Sequence, residues 1–161
     1  MNLLQYLQTC YSLIALSRHP LDSKRVEKMS LADIQKISAE KHQSTVGLRT
    51  AVTIMERWGA SREQMSRILR VSGSTLARAK AGNGTIALDN DQLDRISYVL
   101  NIHGTLRLIF DNPDNVYGFL KLPNDNAFFN GRQPLNVMAD GSFASLYETF
   151  RRIDGLRGAM W

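Results

Sequence analysis

Between Ser61 and Gly84 the chain places so many helix-boundary signals that only short helices joined by tight turns can accommodate them. Ser61 stands three residues before Gln64, the spacing at which a hydroxyl and a side-chain amide each satisfy an orphan N–H at a helix start. Met65, Ile68 and Leu69 recur at helical intervals, and the run breaks around Val71 and Ser72. Ser72 can then cap a helix through Thr75, Leu76 and Ala79, which Gly82 and Gly84 end. Just upstream, Leu48, Ala51, Val52, Met55 and Trp58 form an apolar face that stops at Gly59. Three short helices with such joints meet the requirements of a helix-turn-helix unit. The junction Arg70-Val71-Ser72 carries no glycine, although turns of this kind often need a left-handed residue. Either Arg70 bears a conformational cost, or the turn has another shape.

Helical periodicity extends over the rest of the chain. Leu3, Leu4, Leu7, Tyr11 and Ile14 trace a stripe that Pro20 stops, and Ser17 to Arg25 reads as a connector. Ser30 and Asp33 open a second helix through Leu31, Ile34 and Ile37, which the polar stretch from Glu40 to Ser44 is expected to interrupt or loosen. Residues 85–88 form a short extended link. Asp89 and Gln92 repeat the cap spacing before Leu93, Ile96, Val99 and Leu100, a face that reaches Phe110 with Gly104 weakening its middle. Asn112 before Pro113 starts another helix, with Val116, Phe119 and Leu120 inward. Residues 121–133 read as an irregular loop. Pro134 opens a short turn with Leu135, Val137 and Met138, and Phe143, Leu146, Tyr147, Phe150 and Ile153 mark a last amphipathic helix. The expected fold is all-α.

With 43% hydrophobic and 22% charged residues in 161, the composition is that of a folded globular chain. No apolar run is long enough to span a bilayer. Cys10 has no second cysteine to pair with, and no signal-peptide pattern is visible, so the cytoplasm is the expected location. His19, His42 and His103 lack the spacing of a metal site, Cys10 reads as a small buried residue, and Gly82-Asn83-Gly84 is too short for a phosphate loop. No catalytic residue, metal or cofactor is expected, and the chain does not read as an enzyme.

Charge points toward nucleic acid. Residues 1–90 carry 13 Lys/Arg against 7 Asp/Glu, whereas residues 91–161 carry 7 against 8. From Arg49 to Lys80 there are 7 Lys/Arg and 2 Glu, an excess suited to a salt-sensitive DNA footprint. The second helix of the unit would enter a major groove, with Ser72, Gly73, Ser74, Thr75, Arg78 and Lys80 as its candidate contacts. Arg62 and Arg67, with Arg49, Arg57 and Arg70, are candidate positioning contacts to the phosphate backbone.

The stretch from about Leu48 onward resembles the Xre/MbcA/ParS family of antitoxins. The resemblance begins at Val71-Ser72-Gly73-Ser74-Thr75-Leu76 and continues through Asp89–Arg95. It is most specific from Phe110 to Leu120, at Pro123-Asn124, and from Phe129-Asn130-Gly131-Arg132 through Gln133-Pro134-Leu135, and it closes with Gly141 and the last helix near Ile153. The chain departs from the family in having Asn130-Gly131 for a Gly-Gly type turn and Phe119 at a usual tryptophan position. The resemblance implies a Xre-like helix-turn-helix bundle continuous with a small helical toxin-binding domain. It further implies a cognate toxin of the RES-domain or ADP-ribosyltransferase-like type, homodimerisation, and repression of a shared operon through operator DNA. The chain would then divide into a helical N-terminal extension over 1–47, which carries no part of the family motif, the DNA-binding region over 48–88, a connecting helix over 89–110 and the toxin-binding domain over 111–161. Within that domain Asn130, Gly131, Arg132, Arg157, Met160 and Trp161 are the candidate toxin contacts. Trp161 is either an anchor for a toxin pocket or a side chain folded back on its own bundle. The competing reading is a stand-alone transcriptional regulator whose C-terminal half dimerises or senses a ligand.

Overall fold

The computed structural model describes residues 31–82 and 84–160. The expected helix over 2–17, the stop at Pro20, Cys10, His19, the Ser30 cap and Trp161 lie outside the described residues. Seven α-helices follow one another among the described residues: α1 (Leu31–Arg57), α2 (Arg62–Leu69), α3 (Gly73–Ala81), α4 (Asn90–Ile109), α5 (Pro113–Gly118), α6 (Pro134–Met138) and α7 (Phe143–Gly155). Short 3₁₀ turns occupy Phe119–Lys121 and Leu156–Met160. There is no strand among the described residues, in agreement with the all-α expectation. Nor is any of their helices long and apolar enough to cross a membrane.

The expected interruption from Glu40 to Ser44 does not occur, because α1 runs unbroken through it. Hydroxyls absorb the polarity there. Ser44 Oγ donates to the Glu40 carbonyl at 2.9 Å and Thr45 Oγ1 to that of Lys41 at 2.9 Å, so the side chains bond within the helix instead of competing with it. Thr45 Oγ1 also accepts from the Ile86 N–H at 2.8 Å, which pins the extended 85–88 link against α1.

Helix α4 is the spine. It packs against both α1 and α7, and its buried residues, from Leu93 through Leu106, lie around most of its circumference rather than on one face. An amphipathic stripe describes a helix at a surface; here neighbours on two sides remove the polar face. Gly104 is buried within this helix without breaking it. One contiguous core joins Leu48, Met55 and Trp58 of α1, Ile68 and Leu69 of α2, Ile96 and Ile102 of α4, and Leu146 and Ile153 of α7. The helix-turn-helix and the C-terminal lobe are therefore continuous.

Candidate nucleic-acid interface and partner surface

The start of α2 has the expected capping box. Ser61 Oγ accepts from the Gln64 N–H at 3.1 Å, and the Ser61 N–H donates to Gln64 Oε1 at 2.8 Å. Buried Met65, Ile68 and Leu69 fix which face of α2 turns inward. The glycine-free junction is a left-handed one: Arg70 caps α2 with φ 53° and ψ 41°. The Val71 N–H donates to the Ser66 carbonyl at 3.2 Å, and the Ser66 hydroxyl donates back to the Val71 carbonyl. Ser72 then caps α3, its Oγ accepting from the Thr75 N–H at 3.1 Å and lying 2.8 Å from Ser74 Oγ.

On α3, Leu76 and Ala79 are buried while Ser74, Ala77, Arg78 and Ala81 are exposed, a stripe at helical spacing. Among the described residues, Arg78 makes only a long 3.4 Å contact, to the Thr85 carbonyl. Lys80 is exposed but paired with Glu56 of α1 at 2.7 Å, away from that stripe. Thr75 is half-buried, with its hydroxyl 2.9 Å from that of Ser72. Gly73 is half-buried beneath Arg62, whose guanidinium donates to the Gly73 carbonyl at 2.7 Å. A Cβ at Gly73 would lie 3.0 Å from that guanidinium, so a side chain there would displace the Arg62 fork by a few tenths of an ångström. Arg62 thereby braces the start of α3.

The remaining arginines differ in availability. Arg67 is exposed and pairs with Glu63 one turn earlier. Arg49 Nε donates to the Ala79 carbonyl at 3.2 Å, tying α1 to α3. Arg57 donates to the Tyr117 hydroxyl at 2.7 Å, and Arg70 is engaged by both Asp89 and Asp91. The sequence reading missed Ala77 and Ala81. Their exposure at the stripe's spacing was legible, but small apolar residues gave no sign of nucleic-acid contact. On a helix entering a groove they allow close backbone approach and can meet a thymine methyl.

In the C-terminal lobe, residues 121–133 form an irregular loop ordered by its asparagines. The Asn126 N–H donates to Asn124 Oδ1 at 2.9 Å and the Phe128 N–H to Asn126 Oδ1 at 3.0 Å. Asn130 and Gly131 are both left-handed, with φ 50° and 75°, as turn chemistry at that pair requires. Arg132 donates to the Phe129 and Phe128 carbonyls, and Phe129 is a buried anchor. Arg157 pairs with Asp154 at 3.1 Å, in a 3₁₀ segment that lies against α4 and α7. The candidate contacts thus occupy two places, the loop at 130–132 and the tail. Phe143 and Tyr147 of α7, expected on an inner face, are part-exposed instead. Their rings pack edge-on around Tyr98 at 5.6 Å, because α4 covers only one side of them.

Residues 41–101, which hold most of α1, all of α2 and α3 and the first half of α4, match the antitoxin Xre-like helix-turn-helix domain. This segment is a Xre-like helix-turn-helix domain. Its far limit falls inside α4, so the Xre-like domain and the C-terminal lobe share that helix. The chain is also similar to an uncharacterized protein, y4oB, of Sinorhizobium fredii (strain NBRC 101917 / NGR234). The two are 28% identical over 122 residues, covering 75% of this chain and 92% of that protein. No solved structure matches. The match over residues 41–101 supports an antitoxin or a helix-turn-helix regulator.

Proposed function

We propose that the protein is the antitoxin of a type II toxin–antitoxin system, reading operator DNA with α3 and binding its toxin through the C-terminal lobe. The observation that carries the DNA half is the exposed stripe Ser74, Ala77, Arg78 and Ala81 on a capped helix braced by Arg62. On this reading Arg78 contacts a guanine edge or a phosphate, Ser72 and Ser74 reach phosphate or base edges, and Arg67 contacts the backbone. Lys80 contributes less because Glu56 already holds it.

The toxin half rests on the resemblance of the C-terminal region, with the loop at Asn130, Gly131 and Arg132 and the tail at Arg157, Met160 and Trp161 as its contacts. The partner is a RES-domain or ADP-ribosyltransferase-like toxin. The antitoxin works as a homodimer in the cytoplasm, obstructs the toxin and represses the shared operon. A second reading, a regulator without a toxin, is favoured by the 3₁₀ segment Leu156–Met160 lying against the protein's own α4 and α7.

Co-expression with the product of the adjacent gene separates the two. A stable complex with restored growth supports the antitoxin; absence of both leaves the regulator. For DNA, Arg78→Ala should weaken binding to the promoter region upstream of the gene more than Lys80→Ala does. If Arg78 meets a phosphate, the salt slope should fall by about 1. Unchanged affinity in a folded Arg78→Ala protein would exclude this face as the DNA contact.

A further inference from the structure

The left-handed Arg70 lies between the two helices of the unit, in a conformation that disfavours any residue with a Cβ. Within the turn, both backbone groups of Val71 bond to Ser66. The first turn of α4 holds Arg70 itself. Gln92 Nε2 donates to the Arg70 carbonyl at 2.8 Å, and the Arg70 guanidinium engages Asp89 and Asp91. Asp91 Oδ2 in turn accepts from Arg95 Nε at 2.8 Å.

Arg95 is the unusual member of this group, since its side chain is only 6% exposed. A buried cation must be neutralised and fully bonded, and Asp91 neutralises it. Its Nη1 donates to the Ile68 carbonyl in the last turn of α2 at 3.1 Å, and to the Gly141 carbonyl before α7 at 3.1 Å. The guanidinium carbon lies 5.6 Å from the centre of the Phe143 ring. One planar group therefore fastens α2, α4 and the corner leading into α7. A lysine ammonium cannot reproduce that fork. Arg70 and Arg95 balance Asp89 and Asp91, so the group is electrically neutral. Burial alone would raise the Asp89 carboxyl, but the Gln92 N–H and the Arg70 guanidinium outweigh it and hold the group below its ordinary range.

We propose that Asp91 and Arg95 are positioning residues for DNA reading. They latch the glycine-free α2–α3 turn to α4 and to the Gly141 corner, so that the pose of α3 is set partly from the C-terminal lobe. The proposal rests on the reading of α3 as the DNA-contacting helix. It also implies that Arg70, although exposed and basic, serves the turn and not a phosphate.

The test uses the full-length protein and a labelled duplex carrying the promoter region upstream of its gene. Asp91→Asn should weaken binding about tenfold while leaving the salt slope unchanged, because no phosphate contact is lost. Arg70→Gly alone should bind within about threefold of the parent, since glycine adopts the left-handed turn unaided. Adding Arg70→Gly to Asp91→Asn should recover part of the lost binding, because glycine relieves the turn while Arg95 still lacks its carboxylate; a general loss of stability would not predict any recovery. Arg95→Lys should weaken binding although it keeps the charge, and it replaces Asp91→Asn should that variant not fold.

A second readout does not involve DNA. Amide exchange at Val71 and near Gly141 should accelerate in Asp91→Asn, and Arg70→Gly should slow it again at Val71 only. If the parent binds no duplex, the DNA reading fails, and the exchange experiment alone decides the latch. Unchanged exchange at Val71, failure of Arg70→Gly to rescue, or a salt slope reduced by about 1 in Arg70→Gly would each overturn the proposal.

Discussion

His103 makes the fold acid-sensitive in a way that can be worked out from its surroundings. The residue is 6% exposed on α4, its ring stacked on Tyr117 at 5.4 Å and edge-on to Trp58 at 6.3 Å. Among the described residues its buried Nδ1 meets no hydrogen-bond partner. Burial, and then the positive charges of Arg107 and Arg57, push its pKa down from 6.5 to about 4. The unfolded chain therefore binds a proton more readily than the folded one does. Stability is complete above the unfolded value and declines as pH falls through 6.5, levelling off only below about 4. The full loss is about 3 kcal/mol, of which about 2 kcal/mol is reached by pH ~5.

Urea titrations followed by far-UV circular dichroism at about pH 7.5 and about pH 5 measure this directly, with His103→Gln as the reference. The parent should lose about 2 kcal/mol more than the variant between the two conditions. Half-exposed or exposed groups are common to both proteins and cancel. Asp94, raised by burial and by Asp91, acts in the opposite direction, while Asp89, held low, loses its contribution only below the ordinary carboxylate range. Equal losses in parent and variant would refute the argument.

Two further outcomes concern function. Ser72→Ala removes the cap of α3 and should cost about 1 kcal/mol of stability, read by urea titration, together with operator affinity. Deleting residues 155–161 should weaken toxin binding and inhibition more than DNA binding, measured with the purified toxin and the promoter duplex. Equal toxin affinity after that deletion would exclude obstruction by the tail.

What the sequence disclosed was mostly local. Caps at Ser61, Ser72, Asp89 and Asn112 were legible because each depends on residues two or three positions apart. The left-handed Arg70 was legible as one of two outcomes, since a glycine was missing where a turn needed one. The continuity of α1 past Glu40 was not, because the hydroxyl-to-carbonyl bonds of Ser44 and Thr45 decide it and propensity does not reveal them. Arg95 was hidden for a different reason: an arginine's burial depends on acceptors far away in sequence, here Ile68 and Gly141. The exposed pair Phe143 and Tyr147 reads as core by period, yet α7 presents more apolar surface than α4 can cover.

Because α4 belongs to both the Xre-like domain and the C-terminal lobe, the two cannot be exchanged like cassettes. A hybrid joined near residue 101 would unite halves of a helix whose buried residues answer to different neighbours on each side. Recombination between relatives should therefore succeed only when the whole of α4 travels with the partners that pack on it. A lineage that remodels α7 must also keep the surface that it presents to α4.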